Sequence, residues 1–272
     1  MKTQEDFSKY NGEGTVLRKA QLRMLDMLIE VDKICRKHDI QYWLDFGTLL
    51  GAVRHQGFIP WDDDVDISIL KSDYHKLREV LLRELPDQFV FTDWMTDNFI
   101  FAHYGRVRDT QSFYPYPLFK KQKEQGLWLD IFVVEHIPSM RIKRFVDFFY
   151  GRSFREIHHY GDVLYKSKFK KYFIRTIAYL VHPISLLLVW NSRLLTMLKK
   201  SDLLGFTYSD NNTTAHYPSE IFPTKEILFE GHKFFAPCNV DIYLKAIYGN
   251  YMELPDEKNR QAVSDVSTII IK

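Results

Sequence analysis

The segment WDDDVDISIL, residues 61–70, constrains this chain more than any other. Its second half alternates in the manner of a β-strand, and its first half crowds Asp62, Asp63, Asp64 and Asp66 into five positions. Carboxylates this close repel one another, and an unpaired charge on a buried strand is costly. A solvated acidic loop accounts for Asp62 and Asp63 but not for Asp66, which lies inside the apolar alternation. A calcium loop would use Asp62, Asp64 and Asp66 as its first, third and fifth positions, yet Ile67 stands where such a loop needs Gly. A catalytic metal site accounts for all of it. Residues two apart on a strand face one side, so Asp64 and Asp66 present both carboxylates to one place, where Mg²⁺ and a phosphate would neutralise them. Asp130, inside the apolar run GLWLDIFVVE, is the candidate for a third carboxylate of a two-metal site.

Upstream lies the matching phosphate half. QYWLDF reads as a short strand, and LLGAVRH as one or two helical turns, with Gly47-Thr48 between them. Gly at a strand-to-helix turn lets the backbone approach a ligand, and the amides that follow point at an anion. Gly-Thr alone is a weak signal; followed sixteen residues later by Asp-x-Asp on a strand it is much stronger.

Around these motifs the pattern is mixed. Leu17, Met24, Leu28, Val31 and Cys35 recur at helical steps over residues 15–38, with Thr15 as N-cap. Residues 73–85 suit a helix; QFVFTDW and NFIFAHYGRVRD suit two adjacent strands. EILFEGHKFFAP suits a hairpin and VDIYLKAIYG a helix. The expected architecture is α/β (α+β): a mixed sheet flanked by helices over residues 1–137, a helical subdomain over 138–215, and a C-terminal segment, 216–272, packing back on the core.

Hydrophobic residues at 46% and charged residues at 26% argue for a globular chain, and a net charge of +2 gives no bulk electrostatic case for nucleic acid. Cys35 and Cys238 have neither metal-ligand nor redox spacing. The polar start MKTQEDFSKYNGEG lacks the apolar core of a signal peptide, so a cytoplasmic location is expected.

The stretch WLDFGTLLGAVRHQGFIPWDDDVDI closely resembles the LicD family, which includes the fukutin-type enzymes, within the nucleotidyltransferase superfold. GRVRDTQSF, GLWLDIFVVEHIP and IYGNYMELP resemble its later blocks, so the likeness covers roughly residues 20–135 and 220–260. It implies a nucleotidyltransferase-like fold and transfer of a phospho-alcohol, typically phosphocholine from CDP-choline, onto a cell-envelope glycan such as a teichoic acid or lipopolysaccharide precursor, releasing CMP. By the same resemblance Asp64, Asp66 and Asp130 are metal ligands for two Mg²⁺ or Mn²⁺ ions, with Asp62 assisting or shaping the loop. Gly47 and Thr48 would hold donor phosphates, while Arg54, Arg106 and Arg108 would contact phosphate or cytidine, surface ion pairs being the alternative for each. The acceptor hydroxyl, on one ion, would lose its proton with help from Asp130 and attack in line, the second ion stabilising departing CMP.

Choline neither donates nor accepts hydrogen bonds and is held by aromatic faces. Trp43, Trp61, Tyr104, Tyr114, Tyr116 and Trp128 surround the motifs and are candidates for such a cage, core packing being the alternative for Trp43 and Trp128. Ribitol or glycerol phosphate transfer, NTP-dependent nucleotidyl transfer, and a non-catalytic nucleotide-binding module are the other readings; the intact carboxylate set speaks against the last. His55, His103 and His136 read as ordinary hydrogen-bonded histidines. Residues 166–190, KSKFKKYFIRTIAYLVHPISLLLVW, put a basic-aromatic patch before an apolar run that Pro183 breaks and that is too short to span a bilayer. A buried helix pair with Pro183 at its turn is expected, its basic edge left for peripheral contact with the inner face of a membrane; an interfacial helix near a lipid-linked acceptor is the other reading.

Overall fold

Thr15 caps the first long helix as its place in the sequence predicts, its hydroxyl accepting from Arg18 N at 3.2 Å. The computed structural model describes residues 6–210, 212–262 and 265–272. Residues 1–5 of the polar N-terminal stretch read above lie outside these. A one-turn helix α1 (Ser8–Asn11) precedes the capped α2 (Val16–Lys37). Then come β1 (Tyr42–Leu44), α3 (Phe46–His55), β2 (Val65–Leu70), α4 (Lys71–Glu84), β3 (Phe89–Asp93), β4 (Tyr104–Asp109), β5 (Ser112–Phe113) and β6 (Trp128–His136). The middle of the chain is α5 (Met140–Ile157), α6 (Tyr160–Leu164) and α7 (Lys168–Lys199). It closes with β7 (Leu204–Phe206), β8 (Ala215–His216), α8 (Pro218–Ile221), the hairpin β9 (Lys225–Phe229) and β10 (His232–Ala236), α9 (Val240–Tyr248) and β11 (Ile270–Ile271).

The main sheet runs β1-β2-β6-β4-β3, with β7 continuing along β6 and β8 beside it. It is the mixed α/β sheet flanked by helices that the motifs predict. β2 and β6 pair in parallel, and β4 pairs with β6 antiparallel. Strand alternation splits the sheet into two chemistries. One face is aliphatic: Val65, Ile67, Ile69, Leu129, Ile131 and Val133 are all buried, and α2 and α4 pack against β2 and β6. Each such side chain contributes roughly 1.5–3 kcal/mol by leaving water. The other face carries Asp66 and Ser68 on β2, Trp128 and Asp130 on β6, and Tyr104, Arg106 and Arg108 on β4.

Three expectations differ from the structure. Residues 98–103 are not strand, because Asp97 takes backbone donors from Phe99 and Lys123 and turns the chain before β4 begins. Residues 138–215 are not all helical, since β7 and β8 within that range join the main sheet through Val134↔Phe206 and Leu204↔His216. Residues 166–190 are neither broken nor a buried pair. α7 is one helix with Pro183 inside it. Among the described residues it is long and apolar enough to cross a membrane by length and composition. A mid-helix proline costs about 3 kcal/mol; here Ser153 braces the turn on both sides of it, through His182 Nδ1 (3.0 Å) and Ser185 Oγ (3.2 Å).

Candidate active site

The site begins at the turn from β1 into α3. Asp45, fully buried, accepts from Phe46 N (2.7 Å) and from the Ser68 hydroxyl (2.5 Å), tying the turn to β2. Phe46 holds φ at +40°, a left-handed value rare for an aromatic residue. Its ring is clamped by Phe132 and Phe206, with centroids at 5.0 and 5.4 Å. Strain of this kind persists where the surroundings over-determine it, and it clusters at functional sites. The helix geometry leaves the first-turn amides of Gly47 and Thr48 without intrahelical acceptors. A β-carbon at Gly47 would lie 2.5 Å from Asp62 Oδ2, so only glycine lets that carboxylate close on the turn.

The four acidic residues separate in space. Asp63 turns inward, fully buried, and accepts from the Tyr114 hydroxyl at 2.5 Å. Asp62, Asp64 and Asp66 stay together at the strand mouth. Register sets Asp66 directly opposite Asp130 on β6, and Asp130 directly opposite Arg106 on β4. Asp66 and Asp130 are nearly buried, 7% and 8% exposed. Burial, then Asp63, pushes the Asp62 carboxyl up to about 7. Burial and then the neighbouring carboxylates hold Asp64 and Asp66 well above the usual range. A further carboxylate that the motifs missed, Asp210, follows β7; its carboxyl is raised by burial and feels the charge of Asp130. No motif flags it; it comes from a stretch with no family pattern.

Several expected ligand contacts are committed within the protein. Arg106 forks onto Asp130, Nε to Oδ1 at 2.5 Å and Nη2 to Oδ2 at 2.8 Å. Its Nη1 is buried and has no acceptor among the described residues. Arg108 is fully buried, donating to Gly126 O (2.8 Å) and Gln122 Oε1 (2.6 Å), and so does not face a ligand. The Thr48 hydroxyl accepts from Asp66 N at 2.8 Å, leaving it to align the strand instead of gripping phosphate. The aromatic cage is not assembled. Trp43 is buried and donates to Tyr243 (3.0 Å), and Tyr114 stacks on buried Trp128 with centroids 5.3 Å apart. Tyr104 lies under the Arg106 guanidinium at 5.0 Å, and Tyr116 packs on Phe119 at 4.5 Å. His103 is ringed by Trp94 and Phe154, and burial pushes it down to about 3.

Arg54 and Trp61 do meet, lining a cleft of about 580 Å³ with Tyr248, Tyr251, Glu253 and Asp256. Arg54 donates to Tyr251 O at 3.0 Å, and the Tyr248 hydroxyl feels the charges of Asp66, Asp45, Asp62 and Asp64, so the cleft adjoins the carboxylates. The cleft wall from residues 248–259 carries aromatic and acidic side chains that the motif reading missed; only the match of IYGNYMELP pointed there.

Among the described residues no three acidic, His or Cys side chains converge as a ready-made metal cage. Arg106 donates to both oxygens of Asp130, so this third carboxylate faces Asp66 already engaged by a cation. The donor set still fits a hard divalent cation: Arg106 acts on Asp64 only through its charge, and burial with mutual repulsion among Asp62, Asp64 and Asp66 favours a positive charge there.

With this geometry in hand, comparison with known proteins defines the class. A lipopolysaccharide cholinephosphotransferase of Haemophilus influenzae, LicD, is 27% identical over 263 residues, covering 90% of this chain and 94% of its own. The human ribitol 5-phosphate transferase FKRP is 35% identical over 85 residues, 28% of this chain and 17% of its own. An uncharacterised Rickettsia prowazekii protein is 42% identical over 77 residues, 28% of this chain and 27% of its own. The chain is a phosphotransferase. More particularly, it belongs to the LicD family: the family described as LicD/FKTN/FKRP, nucleotidyltransferase domain, matches residues 39–176.

Proposed function

We propose that this enzyme moves phosphocholine from CDP-choline to a hydroxyl of a cell-envelope glycan, releasing CMP, with the help of Mg²⁺ or Mn²⁺, on the cytoplasmic side of a membrane that holds a lipid-linked acceptor. The observation that carries the reading is the end-to-end likeness to a cholinephosphotransferase. Asp64 and Asp66, with Asp62 beside them, would hold the cation. Bound there, it would neutralise the diphosphate and acidify the acceptor hydroxyl. Arg106 offers its unpaired Nη1 to a phosphoryl oxygen. The amides of Gly47 and Thr48 face the same anion from the start of α3.

Asp130, oriented by the Arg106 fork, receives the acceptor proton. The acceptor oxygen bonds to the phosphorus bearing choline while the bond to the CMP oxygen breaks, and CMP leaves as the phosphate monoester. The 580 Å³ cleft supports choline as the cargo, since Trp61, Tyr248 and Tyr251 offer aromatic faces beside Glu253 and Asp256. The ribitol 5-phosphate transferase match supports a second cargo, ribitol phosphate.

Calorimetric titration with CDP-choline, CDP-ribitol, CDP-glycerol and CTP, with Mg²⁺ and then with EDTA, decides among them. Metal-dependent preference for CDP-choline is expected. Preference for another CDP-alcohol replaces the cargo, and binding of CTP alone overturns the reading in favour of nucleotidyl transfer.

A further inference from the structure

α7 is inside out for a helix facing water. Its buried positions are small or polar: Ala178, Ser185, Val189, Ser192 and Thr196. Phe173, Ile177, Leu180, Ile184, Leu187, Trp190 and Leu194 recur at three- and four-residue steps along one outward stripe, and Leu180 is 70% exposed. Residues 176–192 contain no charged residue, while Lys166, Lys168, Lys170 and Lys171 precede them and Lys199 and Lys200 follow. The neighbouring α5 adds exposed Phe145, Phe148 and Phe149. Between the two helices lies a largely apolar groove of about 220 Å³, where Phe148, Phe149, Ile174, Ile177 and Val181 line the walls together with Arg152, Ser153 and a buried Glu156. Beside it opens a pocket of about 250 Å³ that collects Arg144, Arg152 and Arg155 around Asp147, whose carboxylate is engaged by Lys143. Among the described residues none of these three arginines has a carboxylate in ion-pair contact; Arg152 lies over Phe148 at 4.0 Å.

We propose that the outward face of α5 and α7 docks in the surface of an anionic bilayer, with the stripe in the acyl boundary and Arg144, Arg152 and Arg155 on lipid phosphates. An exposed apolar stripe without Asp or Glu over residues 176–192, flanked by cations and with Glu156 and Asp147 of the adjoining pockets buried, matches a lipid surface in both polarity and charge. α7 lies in the membrane plane and does not cross it, because it is stitched to the body along its length. Arg175 and Lys171 reach Asp162 (both 2.8 Å), His182 meets Ser153 (3.0 Å), Ser192 meets the Tyr208 hydroxyl (2.6 Å), and Arg193 reaches Glu135 (2.9 Å). The same body carries the site. On the inner face of α5, Lys143 binds Asp147 (2.5 Å) and Asp210 O (2.9 Å), and Ser209 N donates to Asp147 (3.2 Å). Docking thus sets Ser209 and Asp210, with the Asp210 carboxylate, close to the membrane surface. That this brings a lipid-linked acceptor to the site rests on the proposed function; the docking does not.

The test is flotation of the full chain with vesicles of phosphatidylcholine alone or of phosphatidylcholine mixed with phosphatidylglycerol, whose negative surface attracts basic side chains. Binding to the anionic vesicles is expected, with Trp190 fluorescence quenched by brominated acyl chains. The variant Leu180→Glu/Leu187→Glu loses binding by at least about tenfold. Arg144→Gln, Arg152→Gln and Arg155→Gln each lose about fivefold on anionic vesicles only. Circular dichroism and CDP-choline titration, expected unchanged in all variants, separate failure of docking from failure to fold or failure of the functional reading. Wild-type protein that ignores both vesicle types, or that buries the stripe in a stable dimer and stays in solution, overturns the proposal.

Discussion

At the residue scale the site is a row across the sheet, Asp66 to Asp130 to Arg106, in which one cation balances two facing carboxylates. The Arg106–Asp130 fork is nearly dry, with the arginine side chain 3% exposed. Removing one partner of such a pair leaves a buried charge uncompensated, so Arg106→Gln should destabilise by about 3–5 kcal/mol. Chemical denaturation checks it; a loss under 1 kcal/mol, roughly what an exposed pair is worth, would mean the fork is solvated. Asp66→Asn should act in the opposite sense on stability, relieving repulsion and raising Tm in EDTA. It should also cut turnover by at least about a hundredfold, measured as CMP release. Gly47→Ala drives a methyl into Asp62, so turnover should fall while the far-ultraviolet spectrum stays native.

At the element scale, α3 and β2 act as one unit. Asp45, Ser68, Thr48 and the Asp66 amide lock the strand-helix turn, and Phe46 carries its strain between Phe132 and Phe206. Thr48→Val keeps the shape but leaves the buried Asp66 amide unpaired. It should cost about 1–3 kcal/mol, read by denaturant midpoint at unchanged slope. These elements were legible because β-alternation in VDISIL and helical steps in residues 17–35 are local patterns. Residues 98–103 read as strand because FIFA is apolar and aromatic, and only the Asp97 turn, made with Lys123, overrides that preference. α7 misled for a related reason. A proline inside an apolar run signals a break, and the brace from Ser153, on a different helix, is invisible to a local pattern.

At the scale of the whole molecule, stability and pH are tied through the site. Asp62, with its carboxyl pushed up to about 7, and Asp64 and Asp66, also raised, prefer their protons in the folded state. A raised carboxyl makes folding less favourable as pH climbs above the ordinary carboxylate range. His55 and His158, held down to about 4, and His103, to about 3, act oppositely; their contribution is lost as pH falls below about 6.5, where the unfolded chain takes up protons. Above about pH 7.5 the histidines are largely neutral in both states, so the carboxylates set the slope. Tm in EDTA should therefore rise as pH falls from 8 towards about 7, and the rise should weaken below about 6.5, where the histidines oppose the carboxylates. Adding Mg²⁺ or Mn²⁺ should flatten the upper limb, because a cation replaces the protons. A flat EDTA profile would remove the mutual repulsion from the account.

The sequence by itself determined the capped helix α2, the mixed sheet, the strand that carries Asp66 with Asp64 at its mouth, and the family likeness, because each is written in patterns a few residues long. Only the tertiary structure decided that Asp63 turns to Tyr114, that Arg106 answers Asp130 while Arg108 is sealed in the core, and that Asp210 joins the site. It also decided that α7 turns its large apolar side outward. The physical reason is common to all four. Strand register and helix packing join residues tens of positions apart, and a side chain's partner is chosen by what the fold brings beside it.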